Sequence, residues 1–153
     1  MEALPMVDLK DLTRRTWEEM IPAADFAALE EVIDSDTVNH DLPPGMPNGF
    51  AGVRGTIGML GDAFSEQRYE VHHVIGEGDT VVIHATMHGL HTGEFLGIPP
   101  TGREIALRSI HIIRYRDGRE VETWGLQDRW GLMQQLGVIP DGPPARRPEA
   151  VSA

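Results

Sequence analysis

The stretch EIALRSIHIIRYRDGREVETWGLQD, residues 104–128, decides the fold. Alternating and β-branched apolar residues fill both of its halves, which is typical of β-strands. Asp117 and Gly118 lie between the halves and favour the tight turn of an antiparallel hairpin. The stretch therefore predicts two long paired strands.

The residues before this hairpin repeat the same pattern. YEVHHVI (69–75) and TVVIHATMHGL (80–90) alternate as strands do, and GEGD (76–79) connects them. They predict a second hairpin and a mostly antiparallel sheet.

Helical spacing dominates the first part of the chain. Apolar residues mark a helix from Leu9 that Pro22 interrupts, a second from about Asp25 to Asp34, and a third from Val53 to near Ser65. The stretch HDLPPGMPNGFAG, residues 40–52, is rich in proline and glycine and predicts an extended entry followed by a loop.

The last segments are a short helix and a tail. Trp130, Met133 and Leu136 mark the helix, whereas residues 141–153 hold too few apolar side chains to pack and are expected to be flexible. Residues 1–140 are expected to form one domain. Together the elements predict an α+β fold, a cone-shaped barrel whose curved, mostly antiparallel sheet packs on three N-terminal helices around a cavity.

Composition narrows the class of protein. The 153 residues hold 13 Lys and Arg against 24 Asp and Glu, a formal net charge of -11. This charge opposes binding to nucleic acid or to an anionic membrane surface. Cysteine is absent, which excludes thiol chemistry, and neither a secretory leader nor a membrane-spanning run is visible. We expect a cytoplasmic protein.

A carboxylate follows the last predicted strand. Glu122, Trp124, Leu126 and Asp128 share one face because side chains alternate along a strand. If Trp124 and Leu126 face the cavity, Asp128 does too, and poor solvation would raise its pKa and suit it to acid/base catalysis. Alternatively, Asp128 caps the helix that begins at Arg129 or pairs with Arg129 in solvent.

His111 is the second candidate catalytic residue. It shares a strand face with Leu107, Ser109 and Ile113, the face expected to line the cavity. Its ordinary pKa lies close to neutrality, so it suits hydrogen bonding to a carbonyl or proton transfer. A histidine satisfied within a semi-polar core is the alternative.

Metal and cofactor motifs are missing from the sequence. Of the seven histidines, His84 and His88 share a face but lie about 13 Å apart by strand rise, too far to hold one ion. HExxH, GxSxG, Walker and strand-linked GxGxxG patterns are absent, and the only lysine is Lys10. The sequence thus predicts a site with no metal and no cofactor, built from a carboxylate and hydrogen-bonding helpers.

Three ordered segments carry a resemblance to a known family. They are VNHDLPPGMPNGFAGVRG (38–55), HTGEFLGIPPTGRE (91–104) and IIRYRDGREVETWGLQDRWGLMQQLGVIP (112–140). With these segments, the chain from about Leu9 to Pro140 resembles the SnoaL-like polyketide cyclases of the nuclear transport factor 2-like superfamily.

The resemblance implies a reaction and a set of site residues. Family members of known activity close a ring of an aromatic polyketide by intramolecular aldol condensation, in which an Asp at a strand end moves the proton. The matching position is Asp128, and His111 would assist the carbonyl. Candidate substrate-binding residues are Trp17, Asn39, His40, Phe50, His88, Trp124 and Leu126.

The sequence also leads to expectations about the ligand and the oligomeric state, and two alternative functions stay open. The expected ligand is a hydrophobic, carbonyl-rich small molecule, and the resemblance implies a homodimer or higher homo-oligomer, with Ile110 and Ile112 facing away from the cavity. One alternative is another enzyme of the same superfamily: an isomerase, an epoxide hydrolase or a hydroxylase-like tailoring enzyme. The other is a noncatalytic binding domain.

Overall fold

The computed structural model describes residues 7–140, and the tail predicted for residues 141–153 lies outside the described residues. The helices are α1 (Leu9–Arg15), which continues into a π-helical turn (Thr16–Met20), α2 (Phe26–Val32), α3 (Phe50–Ala63) and α4 (Arg129–Gln135). The strands are β1 (Ile33–Asn39), β2 (Phe64–Glu77), β3 (Thr80–His91), β4 (Glu104–Arg116) and β5 (Arg119–Gln127).

The two hairpins predicted from the alternating segments are confirmed. β2 pairs antiparallel with β3, β4 with β5, and β3 with β4. Asp117 and Gly118 both have positive φ, 51° and 75°, as the two central residues of a type I′ hairpin turn do. The strand order is β1-β5-β4-β3-β2 in a curved sheet that does not close on itself.

Strand β1 is the main difference from the sequence-based prediction. The second helix was expected to reach Asp34, but it ends at Val32, and Ile33 begins a strand that pairs parallel with β5. Polar residues interrupt the apolar pattern of this short edge strand, as is common where a sheet edge must resist further pairing. Its partner comes from the far end of the chain, so local spacing carries no sign of it.

The N-terminal helices lie on the inner face of the sheet. α1 contacts β2 and β3, and α3 contacts β1 and β2. Leu12 of α1 packs in one buried cluster with Ile83 and Ile113. The hydroxyl groups of Thr13 and Tyr115 hydrogen-bond at 2.7 Å and fix α1 to β4. The predicted α+β architecture, with a mostly antiparallel sheet on three N-terminal helices, is therefore confirmed.

Helix length bears on membrane association. Among residues 7–140, no helix combines the length and apolar character needed to cross a bilayer.

Candidate active site

A cavity of about 120 Å³ lies between the inner face of the sheet and the N-terminal helices. Apolar side chains of the helices form one wall, including Trp17, Ile21 and Ile57. Most of the polar lining belongs to β1, β4 and β5: Asn39, Ser109, His111, Glu120, Thr123 and Gln127. The cavity therefore has an apolar helical wall opposite a polar strip of sheet.

The register between β4 and β5 determines which side chains form this polar strip. His111 lies opposite Gly125, and Ser109 lies opposite Gln127, so the inner-face positions of β4 meet those of β5. The predicted inner face of β4, including His111, is confirmed as cavity lining. Two of the predicted substrate-binding residues, Trp17 and Asn39, also line the cavity.

His111 is held closely within this strip. The Trp17 and His111 ring centroids are 4.6 Å apart, and a Cβ at Gly125 would stand 2.4 Å from the imidazole Nδ1. The Gly125 amide donates to the Asp41 carboxylate at 2.7 Å, which ties the end of β1 to this point of β5. The imidazole is thereby confined between an aromatic ring and bare backbone.

Burial sets the protonation state of His111. It lowers the pKa of the imidazole to about 4, against a smaller opposing effect of the Asp41 charge. His111 is therefore neutral near pH 7 and offers one donor and one acceptor. Its buried Nε2 has no hydrogen-bond partner among residues 7–140, and such a group favours a ligand that supplies one.

Glu120 enters the cavity through an irregularity in the sheet. Tyr115 pairs with Glu120 while Arg114 pairs with Glu122, so Val121 is an extra residue in β5. Such a bulge changes which face the neighbouring side chains occupy. Plain alternation groups Glu120 with the outward-facing Glu122, so sequence reasoning missed it, and no residue pattern in the sequence indicated the bulge.

Glu120 has the protonation behaviour of an acid/base group. Burial raises the pKa of its carboxyl group to about 7, and a hydrogen bond from the Thr123 hydroxyl at 2.5 Å partly opposes that rise. The group is therefore divided between acid and carboxylate near neutral pH.

Tyr69 is a second residue that the sequence analysis did not assign. Its ring lies edge-on to Trp17, with centroids 5.5 Å apart, and it lines the cavity. Burial raises the pKa of its hydroxyl, so the group stays protonated and is suited to hydrogen-bond donation.

The predicted cavity position of Asp128 is wrong. Its Oδ1 accepts from the Gly131 amide at 2.9 Å and caps α4, and its Oδ2 accepts from Arg108 at 2.9 Å. These hydrogen bonds, that of Arg108 foremost, lower the pKa of the carboxyl group, whereas the sequence argument required a raised one. The capping alternative describes the geometry, although the ion pair is with Arg108 rather than Arg129.

The predicted orientation of Trp124 and Leu126 is also wrong. Trp124 lies opposite Ile112, and Leu126 lies opposite Ile110, so all four project from the outer face of the sheet. Leu126 is 79% exposed and Ile110 is 51% exposed. Ile110 and Ile112 were predicted to face outward, and residues that pair directly with them must face outward too. Alternation along β5 alone did not reveal this, because it does not show which residues of β4 are the partners.

Three further candidates do not line the cavity. His40 stacks on Trp124, with centroids 4.9 Å apart. His88 contacts Glu70 at 3.2 Å on the outer face of the sheet. Phe50 packs into a buried cluster with Leu29 and Ile33. Only His88 lies in a strand, where it faces outward, whereas His40 follows the end of β1 and Phe50 begins α3.

A second concavity lies on the outer face of the sheet. It has a volume of about 630 Å³, and its lining includes Ile110, Ile112, Trp124 and Leu126. Of its charged groups, Arg108 and Asp128 pair with each other, and the Asp41 carboxylate accepts from the Gly125 amide. Buried groups with strongly shifted pKa values mark functional sites, and three such groups, Tyr69, His111 and Glu120, line the inner cavity. We therefore assign the inner cavity as the candidate active site.

The histidines do not assemble a metal centre in the described part of the chain. No group of three or more His, Cys, Asp or Glu side chains between residues 7 and 140 is placed to hold an ion. Two imidazoles do meet on the sheet, with the Nδ1 atoms of His73 and His84 3.0 Å apart.

The fold and site together define a class of α+β domains with a cavity between a curved sheet and its helices, and comparisons identify the family. The family model described as SnoaL-like polyketide cyclase matches residues 11–136. The aklanonic acid methyl ester cyclase DnrD of Streptomyces peucetius is 30% identical over 144 residues, covering 90% of this chain and 97% of the relative. Nogalonic acid methyl ester cyclase of Streptomyces nogalater is 29% identical over 108 residues, covering 70% and 78%.

A solved structure agrees with these relatives. Wild-type IdmH of Streptomyces antibioticus is 31% identical, with a TM-score of 0.75 over 86% of this chain and 99% of that one. The chain belongs to the SnoaL-like polyketide cyclases.

Proposed function

We propose that this protein closes a ring in a hydrophobic, carbonyl-rich small molecule by intramolecular aldol condensation inside the inner cavity. The observation that carries the proposal is the buried Nε2 of His111, which has no partner among residues 7–140. A ligand carbonyl oxygen that accepts from a neutral imidazole would satisfy this atom and become more electrophilic.

The reaction balances without a co-reactant. A base removes a proton from a methylene next to a carbonyl, and the electron pair of that C–H bond becomes an enolate. The enolate carbon attacks the second carbonyl carbon, a C–C bond forms, and the new alkoxide takes a proton. The apolar wall that includes Trp17 and Ile57 would keep water from the enolate.

The substrate class follows from the relatives and from the cavity. The named relatives are cyclases of nogalonic and aklanonic acid methyl esters, which favours a related ester or β-keto compound here. Ligand pockets usually measure about 300–1,000 Å³. The cavity of about 120 Å³ therefore accepts a small β-keto compound as it stands, whereas a multi-ring substrate requires movement of the helical wall.

Liquid chromatography with mass spectrometry, followed by NMR of any isomeric product, tests the proposal. Wild-type protein is incubated with a panel of anthraquinone-type and smaller β-keto substrates, beside the variants His111→Leu and His73→Leu. The exposed His73 lies outside the cavity and serves as the matched control.

We expect a ring-closed isomer of unchanged mass from the wild type and His73→Leu, with at least about 100-fold less from His111→Leu. Hydrolysed, hydroxylated or rearranged products would instead favour one of the other superfamily enzymes. Tight stoichiometric binding with no product would favour a noncatalytic binding domain.

We also propose that the protein self-associates. The resemblance implies a homodimer, and the exposed apolar residues of the outer face supply a surface for it. Location in the cytoplasm stays a prediction from sequence.

A further inference from the structure

The proposed ring closure needs a group that removes a proton from carbon and later returns one. Among residues 7–140, Glu120 is the only carboxyl side chain in the cavity lining. The predicted carboxylate, Asp128, caps α4 and pairs with Arg108 instead. A neutral His111 at its lowered pKa is a weak base, so the cavity offers one carboxylate for this task.

The surroundings of Glu120 leave one oxygen for a ligand. Oε1 accepts from Thr123, the single side-chain hydrogen bond that the described residues give this carboxyl group. Two nearby arginines are engaged elsewhere: Arg114 of β4 pairs with Glu122, and Arg119 of β5 donates to the Glu30 carbonyl. Thr123 therefore orients the carboxyl group while Oε2 stays available to a bound molecule.

The bulge in β5 makes this position possible. Regular alternation would send Glu120 outward with Glu122, which forms an ion pair with Arg114 at 2.6 Å and contacts His40 at 2.8 Å. The extra residue Val121 instead turns one of two nearby glutamates into the cavity and leaves the other paired on the outside. Bulges commonly re-aim a side chain at a functional site.

The environment of Glu120 suits proton transfer in both directions. Burial raises the pKa of the carboxyl group to about 7, so neither protonation state is rare near neutral pH. General acid/base groups work best when their pKa lies near the working pH.

We propose that Glu120 is the catalytic acid/base of this site, resting on the proposed function for the choice of substrate. Oε2 of the carboxylate accepts a proton from the methylene, and the C–H electron pair moves into the enolate that His111 stabilises through the carbonyl oxygen. After the C–C bond forms, the Glu120 carboxylic acid donates that proton to the alkoxide. Glu120 returns to its starting state and no atom is lost.

Hydrogen exchange separates proton removal from ring closure. A β-keto ester that has one exchangeable methylene and cannot cyclise is incubated in D₂O, and deuterium incorporation above a buffer blank is followed by NMR. The proteins compared are wild type, Glu120→Gln, Asp128→Asn and the surface control Glu104→Gln. Circular dichroism and thermal unfolding establish that each variant is folded.

We expect exchange by wild type, Asp128→Asn and Glu104→Gln, and at least about 100-fold slower exchange by Glu120→Gln. The wild-type rate should rise with pH through a single step near 7, and Glu120→Gln should lack that step. Binding of the ester to Glu120→Gln should change by less than about threefold, because glutamine keeps the shape of the side chain.

Several outcomes would overturn the inference. These are no exchange by folded wild-type protein, equal exchange by Glu120→Gln, or a loss confined to Asp128→Asn. A different result would contradict the proposed function alone. In that case wild-type protein would catalyse deuterium exchange and the exchange would depend on Glu120, yet no panel substrate would yield a ring-closed product.

Discussion

His111 and Gly125 face each other across β4 and β5 so closely that a Cβ at position 125 would stand 2.4 Å from the imidazole Nδ1. The glycine thus gives the histidine its place beneath Trp17. A side chain at position 125 and the present position of the imidazole are mutually exclusive.

The substitution Gly125→Ala tests this relationship. The new methyl group should displace His111, lower the free energy of unfolding by about 1–3 kcal/mol, and reduce turnover at least as much as His111→Leu does. Urea unfolding and product analysis measure the two effects. Gly58→Ala is the matched control, since a Cβ at Gly58 in α3 would meet no atom within 4 Å beyond its chain neighbours and the nearby backbone of its own helix. Full turnover by Gly125→Ala would contradict the proposed role of His111.

The sequence predicted the helices, both hairpins and the family, because those features depend on local spacing and ordered segments. It also placed Trp17, Asn39 and His111 at the cavity. Two of the errors concern the side of the sheet: Trp124 and Leu126 project outward, and their outward position follows from their pairing with Ile112 and Ile110.

Glu120 shows why part of the site was not predictable. A single extra residue, Val121, changes the face that Glu120 occupies, and neighbouring strands rather than local sequence determine such a bulge. β1 was missed for a related reason, because its partner lies far away in the chain. Spacing along one strand therefore says little about features that two strands determine together.

Glu120 and His111 should make opposite contributions to the pH dependence of stability. Burial raises the pKa of Glu120 from 4.5 to about 7, so its contribution is present below pH 4.5 and is lost as pH rises through 7. Burial lowers the pKa of His111 from 6.5 to about 4, so its contribution is present above pH 6.5 and is lost as pH falls through 4.

Comparing each variant with wild type should isolate the contribution of the group that was removed. As the pH increases from 4.5 to 6.5, the free energy of unfolding of Glu120→Gln should rise relative to that of wild type. The free energy of unfolding of His111→Leu should fall relative to that of wild type. Each change amounts to at most about 3 kcal/mol. Urea unfolding at half-unit pH steps measures both, and using differences from wild type cancels the other titrating groups. Parallel curves for the two variants would contradict the burial of these groups in the folded state.

Asp128 should act on stability through the cap of α4. Asp128→Ala removes the hydrogen bond to the Gly131 amide and should cost about 1 kcal/mol of unfolding free energy. Asp128→Asn retains a good capping residue and loses mainly the Arg108 ion pair, so its cost should stay below about 1 kcal/mol. Chemical unfolding compares the two. A ring-closing activity that disappears in a fully stable Asp128→Asn would return the catalytic role to Asp128.

The outer face of the sheet should determine the oligomeric state. Leu126 and Ile110 are largely exposed beside Ile112 and Trp124, and an apolar surface of this kind favours burial against a second copy. Light scattering at micromolar concentration should give twice the 16.9 kDa chain mass for the wild type and a monomer for Leu126→Glu, because each copy would bury an unpaired carboxylate. Leu96→Glu, an equal charge change at an exposed loop residue outside this face, should remain dimeric. A wild-type monomer would contradict the predicted dimer, and a Leu126→Glu dimer would place the interface elsewhere.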